Sequence, residues 1–230
     1  MRQVAFNMAA MLALAGCAVT NTPYPRPALP GPSYAPPAPN IYTSAPRAPL
    51  HSQLFACASR GSNLGEIGYD GDVVQYAPYI DTPAGALLRL PVEAACLSSG
   101  FGWRGSLEAG RQHNGVDLAN PNGGFVFAAG DGWVRSADVR GGYGNVVEID
   151  HGDGVHTLYA HLAEIDPNLH PGSFVAAGAA IGRMGMTGNA TGVHLHYEVT
   201  VDGLLVDPLY YGRPPVFVSA PAPDDASIDR

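Results

Sequence analysis

Between residues 90 and 211 the chain is made of short apolar or alternating runs set apart by Gly, Asn and Asp clusters, at 124–129, 132–135, 145–150, 155–160 and 194–201. Period-2 alternation sends successive side chains to opposite faces of an extended strand, and runs this short cannot sustain the turns of an amphipathic helix. The expected fold is therefore all-β and mainly antiparallel, with few or no helices outside an N-terminal signal. His151-Gly152-Asp153-Gly154, between two of the runs, reads as a hairpin connection, because Asp and Gly accept the positive φ of a tight turn. With 29 Gly, 21 Pro and only 14% charged residues, the composition agrees with a turn-rich chain of short strands. At 230 residues and 46% hydrophobic content it can bury one good core, hence one catalytic or binding unit.

The formal charge is -8 and all 12 basic residues are Arg, so there is no Lys-rich patch to neutralise phosphates, and nucleic acid is excluded as a partner. At the N-terminus, Arg2 precedes an apolar stretch at 4–14 and then Leu14-Ala15-Gly16-Cys17. The stretch is shorter than the roughly 20 residues of a membrane-spanning helix. It reads as a signal over 1–17 with cleavage before Cys17. The segment resembles a bacterial lipobox, which implies lipidation of Cys17 and a membrane-anchored chain; Ala18 in place of an acidic residue implies the outer membrane of a Gram-negative cell, facing the periplasm. Residues 18–50, rich in Pro, Ala, Ser and Tyr and without period, form an expected linker that could reach about 100 Å if extended. Residues 51–89 form an accessory segment that either wraps the main domain or covers its site. The domain proper is expected over 90–212 and a flexible tail over 213–230. Cys57 and Cys96 then lie in an oxidising compartment with no second Cys near either one, which favours a disulfide over a metal site.

Four of the eight histidines stand in arrangements that neither a core nor a solvated surface requires. In the run 193–199 the odd positions are apolar, whereas His194, His196 and Glu198 share the other face. One imidazole of such a face can bind a metal while its neighbour meets substrate. His113-Asn114-Gly115-Val116-Asp117 pairs an imidazole with a carboxylate. Fully extended, their Cα atoms would lie about 13 Å apart, too far for ligands of one ion. The chain must bend, and Gly115 is expected to take a conformation that other residues resist. His113, Asp117 and His196 together make a nitrogen, oxygen and nitrogen set suited to Zn2+, one per chain, with a fourth position open for catalysis. His161 is expected to end the strand between the two motifs. With His194 it could orient or deprotonate water and stabilise an oxyanion. Glu198 is either a plain solvent-facing carboxylate or a partner for a ligand histidine. His51, His151, His156 and His170 need no catalytic role, and 182–188 lacks the Gly-Lys-Ser/Thr ending of a phosphate loop.

Ser98-Ser99-Gly100-Phe101-Gly102-Trp103-Arg104, the HxxxD motif at His113 and Asp117, Tyr159-Ala160-His161-Leu162, Gly185-Met186-Thr187-Gly188 and Gly192-Val193-His194-Leu195-His196 follow one another in a specific order. In this order they resemble the LytM and lysostaphin-type metallopeptidases over about 90–211. The resemblance implies a compact sheet with an active-site groove, zinc on His113, Asp117 and His196, and His161 with His194 as the catalytic pair. It also implies cleavage of peptidoglycan peptides, at cross-links or stems, for wall remodelling or daughter-cell separation. Some envelope members of that family have lost zinc ligands and only activate amidases. This chain keeps every expected ligand, so a peptidase is the leading expectation, an amidase activator the alternative, and a divisome or amidase partner an open one. The lipid anchor favours meso-diaminopimelate cross-links over glycine bridges.

Overall fold

The computed structural model describes residues 46–58, 61–105 and 110–212, all within one compact unit, Pro36–Arg230. The expected signal with Cys17, residues 18–45 of the linker and the tail over 213–230 lie outside the described residues.

The described chain runs through β1 (Tyr79–Thr82), β2 (Gly85–Leu88), β3 (Cys96–Ser99), β4 (Gly102–Arg104), β5 (Arg111–His113), β6 (Val116–Ala119) and β7 (Phe125–Phe127). It continues through β8 (Gly132–Arg140), a 3-10 turn at Gly141–Tyr143, β9 (Gly144–Gly152), β10 (Val155–Ile165) and β11 (Phe174–Val175). β12 (Ala180–Met184), β13 (His194–Val201) and β14 (Leu204–Val206) complete it. The fold is all-β, as the alternation predicts, and every pairing between these strands is antiparallel. The main sheet has the order β11-β8-β9-β10-β13-β6-β3; β12 joins β10 to β7, and β14 lies on β13.

The middle of that sheet holds the core. Leu195, Tyr197 and Val199 of β13, Val116 and Leu118 of β6, Leu97 of β3 and Tyr159 of β10 are fully buried. Each such side chain contributes roughly 1.5–3 kcal/mol relative to exposure. Burial of this face pins the register, because a one-residue slip would turn every apolar side chain outward. In the register so fixed, His196 lies directly opposite Asp117 across the β13–β6 pair. Core packing and ligand geometry thus have a common cause.

The β9–β10 hairpin turns through Gly152 (φ 83°), Asp153 (φ 46°) and Gly154 (φ 74°), the positive-φ residues that the turn sequence predicts. Two strands outrun their sequence signals. β8 continues to Arg140 because its outer half pairs through backbone with β9, out to Arg140↔Gly144, and needs no apolar alternation there: Val139 is 77% exposed. β10 continues to Ile165, so His161 does not end it.

Residues 51–89 wrap the domain. Leu54, Val73, Ile80 and Leu87 join the core, and bridges Ala56↔Leu97 and Ser62↔Ser99 run alongside β3. A disulfide links Cys57 to Cys96 at the start of β3. Among the described residues of this segment, none lines the groove described below.

Candidate metal centre

His113 closes β5 and Asp117 stands second in β6, with the chain bending between them at Asn114 and Gly115. The φ of Gly115 lies outside the left-handed region, contrary to the sequence expectation. Its hydrogen side chain answers a close approach instead: a Cβ there would sit 2.2 Å from the carbonyl oxygen of Tyr197 on β13. Glycine lets the bend press against the strand that carries His196.

The three donor atoms converge. His113 Nε2 is 3.0 Å from Asp117 Oδ1 and 3.0 Å from His196 Nδ1, and His196 Nδ1 is 2.9 Å from the same Asp117 oxygen. A triangle of this size suits one small ion with bonds of about 2 Å to N and O ligands. Among the described residues this group is the one whose ligand atoms cluster in this way, and all three residues are buried. The local potential also favours a cation. Burial alone would raise Asp117, but hydrogen bonds from His113 and His196, and their charges, hold its carboxyl well below the usual range. Burial would lower His196, yet its hydrogen bonds to Asp117 and Glu198, with their negative charges, raise it to about 8. Asp117 Oδ2, the oxygen outside the triangle, accepts from Arg104 of β4 at 2.7 Å, and the guanidinium also touches His113 Nδ1. That nitrogen also sits 2.7 Å from the carbonyl of Gly100, so Nδ1 is engaged from behind and Nε2 is the nitrogen left to face the centre.

His161 and His194 flank the triangle, their rings 4.7 Å apart. β10 pairs with β13 as far as Ala160↔His196 and then with β12 from Leu162↔Met184, and His161 occupies the changeover at φ 61°. The strand swivels at this point and aims the imidazole into the groove. Thr187 and Asn145 brace the swivel: Thr187 Oγ1 and Asn145 Nδ2 both donate to the carbonyl of Leu162, and Thr187 accepts His161 Nδ1–H at 2.8 Å. Burial, aided by the neighbouring imidazoles of His194 and His196, pushes His161 below its ordinary value despite the Thr187 carbonyl. His194 donates Nδ1–H to Gly192 O at 2.8 Å and sets Nε2 3.7 Å from Asp117 Oδ1. All five residues line one groove of about 330 Å³.

Sequence reasoning left Arg104 and Tyr143 without a role and left Glu198 open. Arg104 stands in the Gly102-Trp103-Arg104 motif but nine residues from His113, and the β4–β5 hairpin that unites them has no strong alternation. Glu198 is not solvent-facing: it is 6% exposed and bonded to His196, because the turn at Tyr143 packs over that face of β13, beside Leu158 of the neighbouring β10. His151 does belong to the hairpin end, bonded to Asp131 and Thr157, and plays no part in the groove.

Two imidazoles and a carboxylate on an open groove, flanked by two free-edged imidazoles, are the apparatus of the metal-dependent hydrolases. Comparison with known proteins narrows the class. Residues 111–208 match the model of Peptidase family M23, and the chain therefore carries an M23 peptidase domain. It is 39% identical over 142 residues to "DD-carboxypeptidase/endopeptidase Mpg" of Neisseria meningitidis serogroup B, a match over 61% of this chain and 31% of that protein. It is 37% identical over 129 residues to "Peptidoglycan DD-endopeptidase ShyC" of Vibrio cholerae serotype O1, a match over 54% of this chain and 29% of that protein. The chain thus spans about a third of the length of these relatives. Among solved structures it is similar to a zinc-containing peptidase from Vibrio cholerae, with 34% identity, a TM-score of 0.51, and coverage of 64% of this chain and 48% of that one.

Proposed function

We propose that this chain is a zinc-dependent endopeptidase that hydrolyses peptide bonds in peptidoglycan cross-links or stem peptides, anchored to the outer membrane through lipid on Cys17 and facing the periplasm. The observation that carries the reading is the convergence of His113 Nε2, Asp117 Oδ1 and His196 Nδ1 to within about 3 Å, with His161 and His194 beside them. The relatives' names, which specify peptidoglycan DD-endopeptidase activity, support the substrate class.

His113, Asp117 and His196 would hold the zinc ion, which would supply Lewis acidity for the scissile carbonyl and make water acidic enough to ionise near neutral pH. The remaining steps belong to the protein. His161, kept neutral by burial and with Nδ1–H engaged by Thr187, takes a proton from the attacking water at Nε2. His194, its ring 4.7 Å from that of His161, is placed to meet the oxyanion, and His161 returns its proton to the departing amine. Arg104 holds the outer oxygen of Asp117 and keeps its carboxylate in one orientation.

Purified chain lacking residues 1–17 should release soluble muropeptides from sacculi, and chelation should stop the release. A chain that binds zinc, releases nothing and yet stimulates a separate amidase would replace this reading by that of an amidase activator. Membrane fractionation tests the anchor, since a Cys17→Ser chain should leave the membrane fraction; one that stays there removes the lipid.

The pH profile tests the base. Protonation disables His161, and its folded value lies below the ordinary 6.5, so activity is retained as pH falls through 6.5 and is lost below it. The acid limb of kcat/KM on a cross-linked muropeptide should therefore lie below pH 6.5. A limb at or above that value removes His161 from this role.

A further inference from the structure

Three of the four site histidines are held from behind by backbone carbonyls: His113 by Gly100, His161 by Thr187 and His194 by Gly192. His196 is the exception. Its Nε2 lies 2.9 Å from Glu198 Oε1, and the same oxygen accepts the hydroxyl of Tyr143 at 2.8 Å. Glu198 is 6% exposed, and a buried carboxylate is costly unless its partners satisfy it. A carboxylate can only accept here, so Nε2 of His196 carries a proton toward Glu198, and Nδ1 is the nitrogen turned to Asp117 and His113. Tyr143 ends the 3-10 turn that walls the groove, and its ring lies 5.8 Å from that of His196. The next residue back, Gly142, accepts the backbone amide of Asn189, which also lines the groove, at 2.8 Å. The turn is thereby held on both sides.

We propose that Glu198 and Tyr143 are positioning residues of the metal centre: Glu198 fixes the tautomer and ring plane of His196, and Tyr143 fixes Glu198. The inference rests on the metal reading above, but not on the identity of the substrate. An imidazole backed by a carboxylate is a better ligand than one backed by water, since the partner both orients the ring and raises its basicity. Glu198 achieves this from two residues along the same strand face, and the groove wall supplies its second bond.

Zinc affinity of the metal-free chain, measured by competition with a chromophoric chelator, tests the pair without any substrate. Glu198→Ala should weaken zinc binding by about 10- to 100-fold, and Tyr143→Phe by about the lower end of that range. Glu198→Gln should fall between Glu198→Ala and the unaltered chain, because its amide oxygen still accepts from Nε2–H. Thermal unfolding of the metal-free variants reports any purely structural role, and if Glu198→Ala does not fold, Tyr143→Phe decides alone. Affinities within about twofold of the unaltered chain, whatever the change in unfolding temperature, overturn the proposal, since loss of an orienting partner costs more than that. Zinc binding that responds as stated in a chain that releases no muropeptides supports the pair and overturns the peptidase reading. An unaltered chain that binds no zinc overturns both.

Discussion

His113→Ala and Asp117→Ala should each abolish zinc binding and lower muropeptide release more than about 100-fold, because loss even of a group that merely orients a ligand costs about 10- to 100-fold. The two substitutions act on one centre but disturb it differently. His113→Ala removes a donor and leaves Asp117 bonded to His196 and Arg104. Asp117→Ala removes the oxygen that meets both imidazoles and leaves the Arg104 guanidinium beside His113 without its carboxylate partner. Asp117→Ala is therefore expected to lose stability as well as metal, and His113→Ala chiefly metal. Inductively coupled plasma analysis for zinc, with muropeptide release by mass spectrometry, reads both. Sacculi digested equally well by either variant would sink the zinc mechanism.

The second large effect falls on stability. Replacing Cys57 and Cys96 by Ser opens a loop with a sequence separation of 39. On the chain-entropy model that removes roughly 4 kcal/mol, with measured losses often smaller. For a chain of this length the loss corresponds to a fall of about 8–16 °C in unfolding temperature. The bridge ties residues 51–89 to β3, next to the backbone bonds between Cys57 N–H and Leu97 O and between Leu97 N–H and Phe55 O. No described residue of that segment lines the groove, so the fraction that stays folded should keep its specific activity. Activity lost at a temperature where the fold is intact would show instead that the segment supports the site. An unchanged unfolding temperature would show that the bridge adds nothing to the packing of Leu54, Val73, Ile80 and Leu87.

The two histidines on β13 were legible because a strand has a strict period: the apolar residues at 195, 197 and 199 force 194, 196 and 198 together onto the other face. That this second face is also buried was not legible, since its covering comes from the turn at Tyr143, far away in sequence. The sequence leaves Glu198 open between a surface carboxylate and a histidine partner for that reason alone. Gly115 shows the same division. The need for glycine in the HxxxD motif is visible locally, but its cause is the carbonyl of Tyr197, a contact across the sheet. His161 is the clearest case. Its presence in a strand follows from alternation, whereas its aim depends on β10 exchanging β13 for β12 at that residue.

Alternation, turn residues and ligand chemistry are properties of neighbours along the chain, and from them the sequence by itself determined an all-β domain, its hairpin, and the donor set of His113, Asp117 and His196. Which oxygen of Asp117 faces the centre, which nitrogen of each imidazole is free, and that Arg104, Tyr143 and Glu198 surround them were decided only by tertiary structure. The physical reason is range. A strand's period extends over a few residues, but a hydrogen bond at about 3 Å between groups as many as 83 residues apart exists only once the buried face of β13 has locked its register against β6.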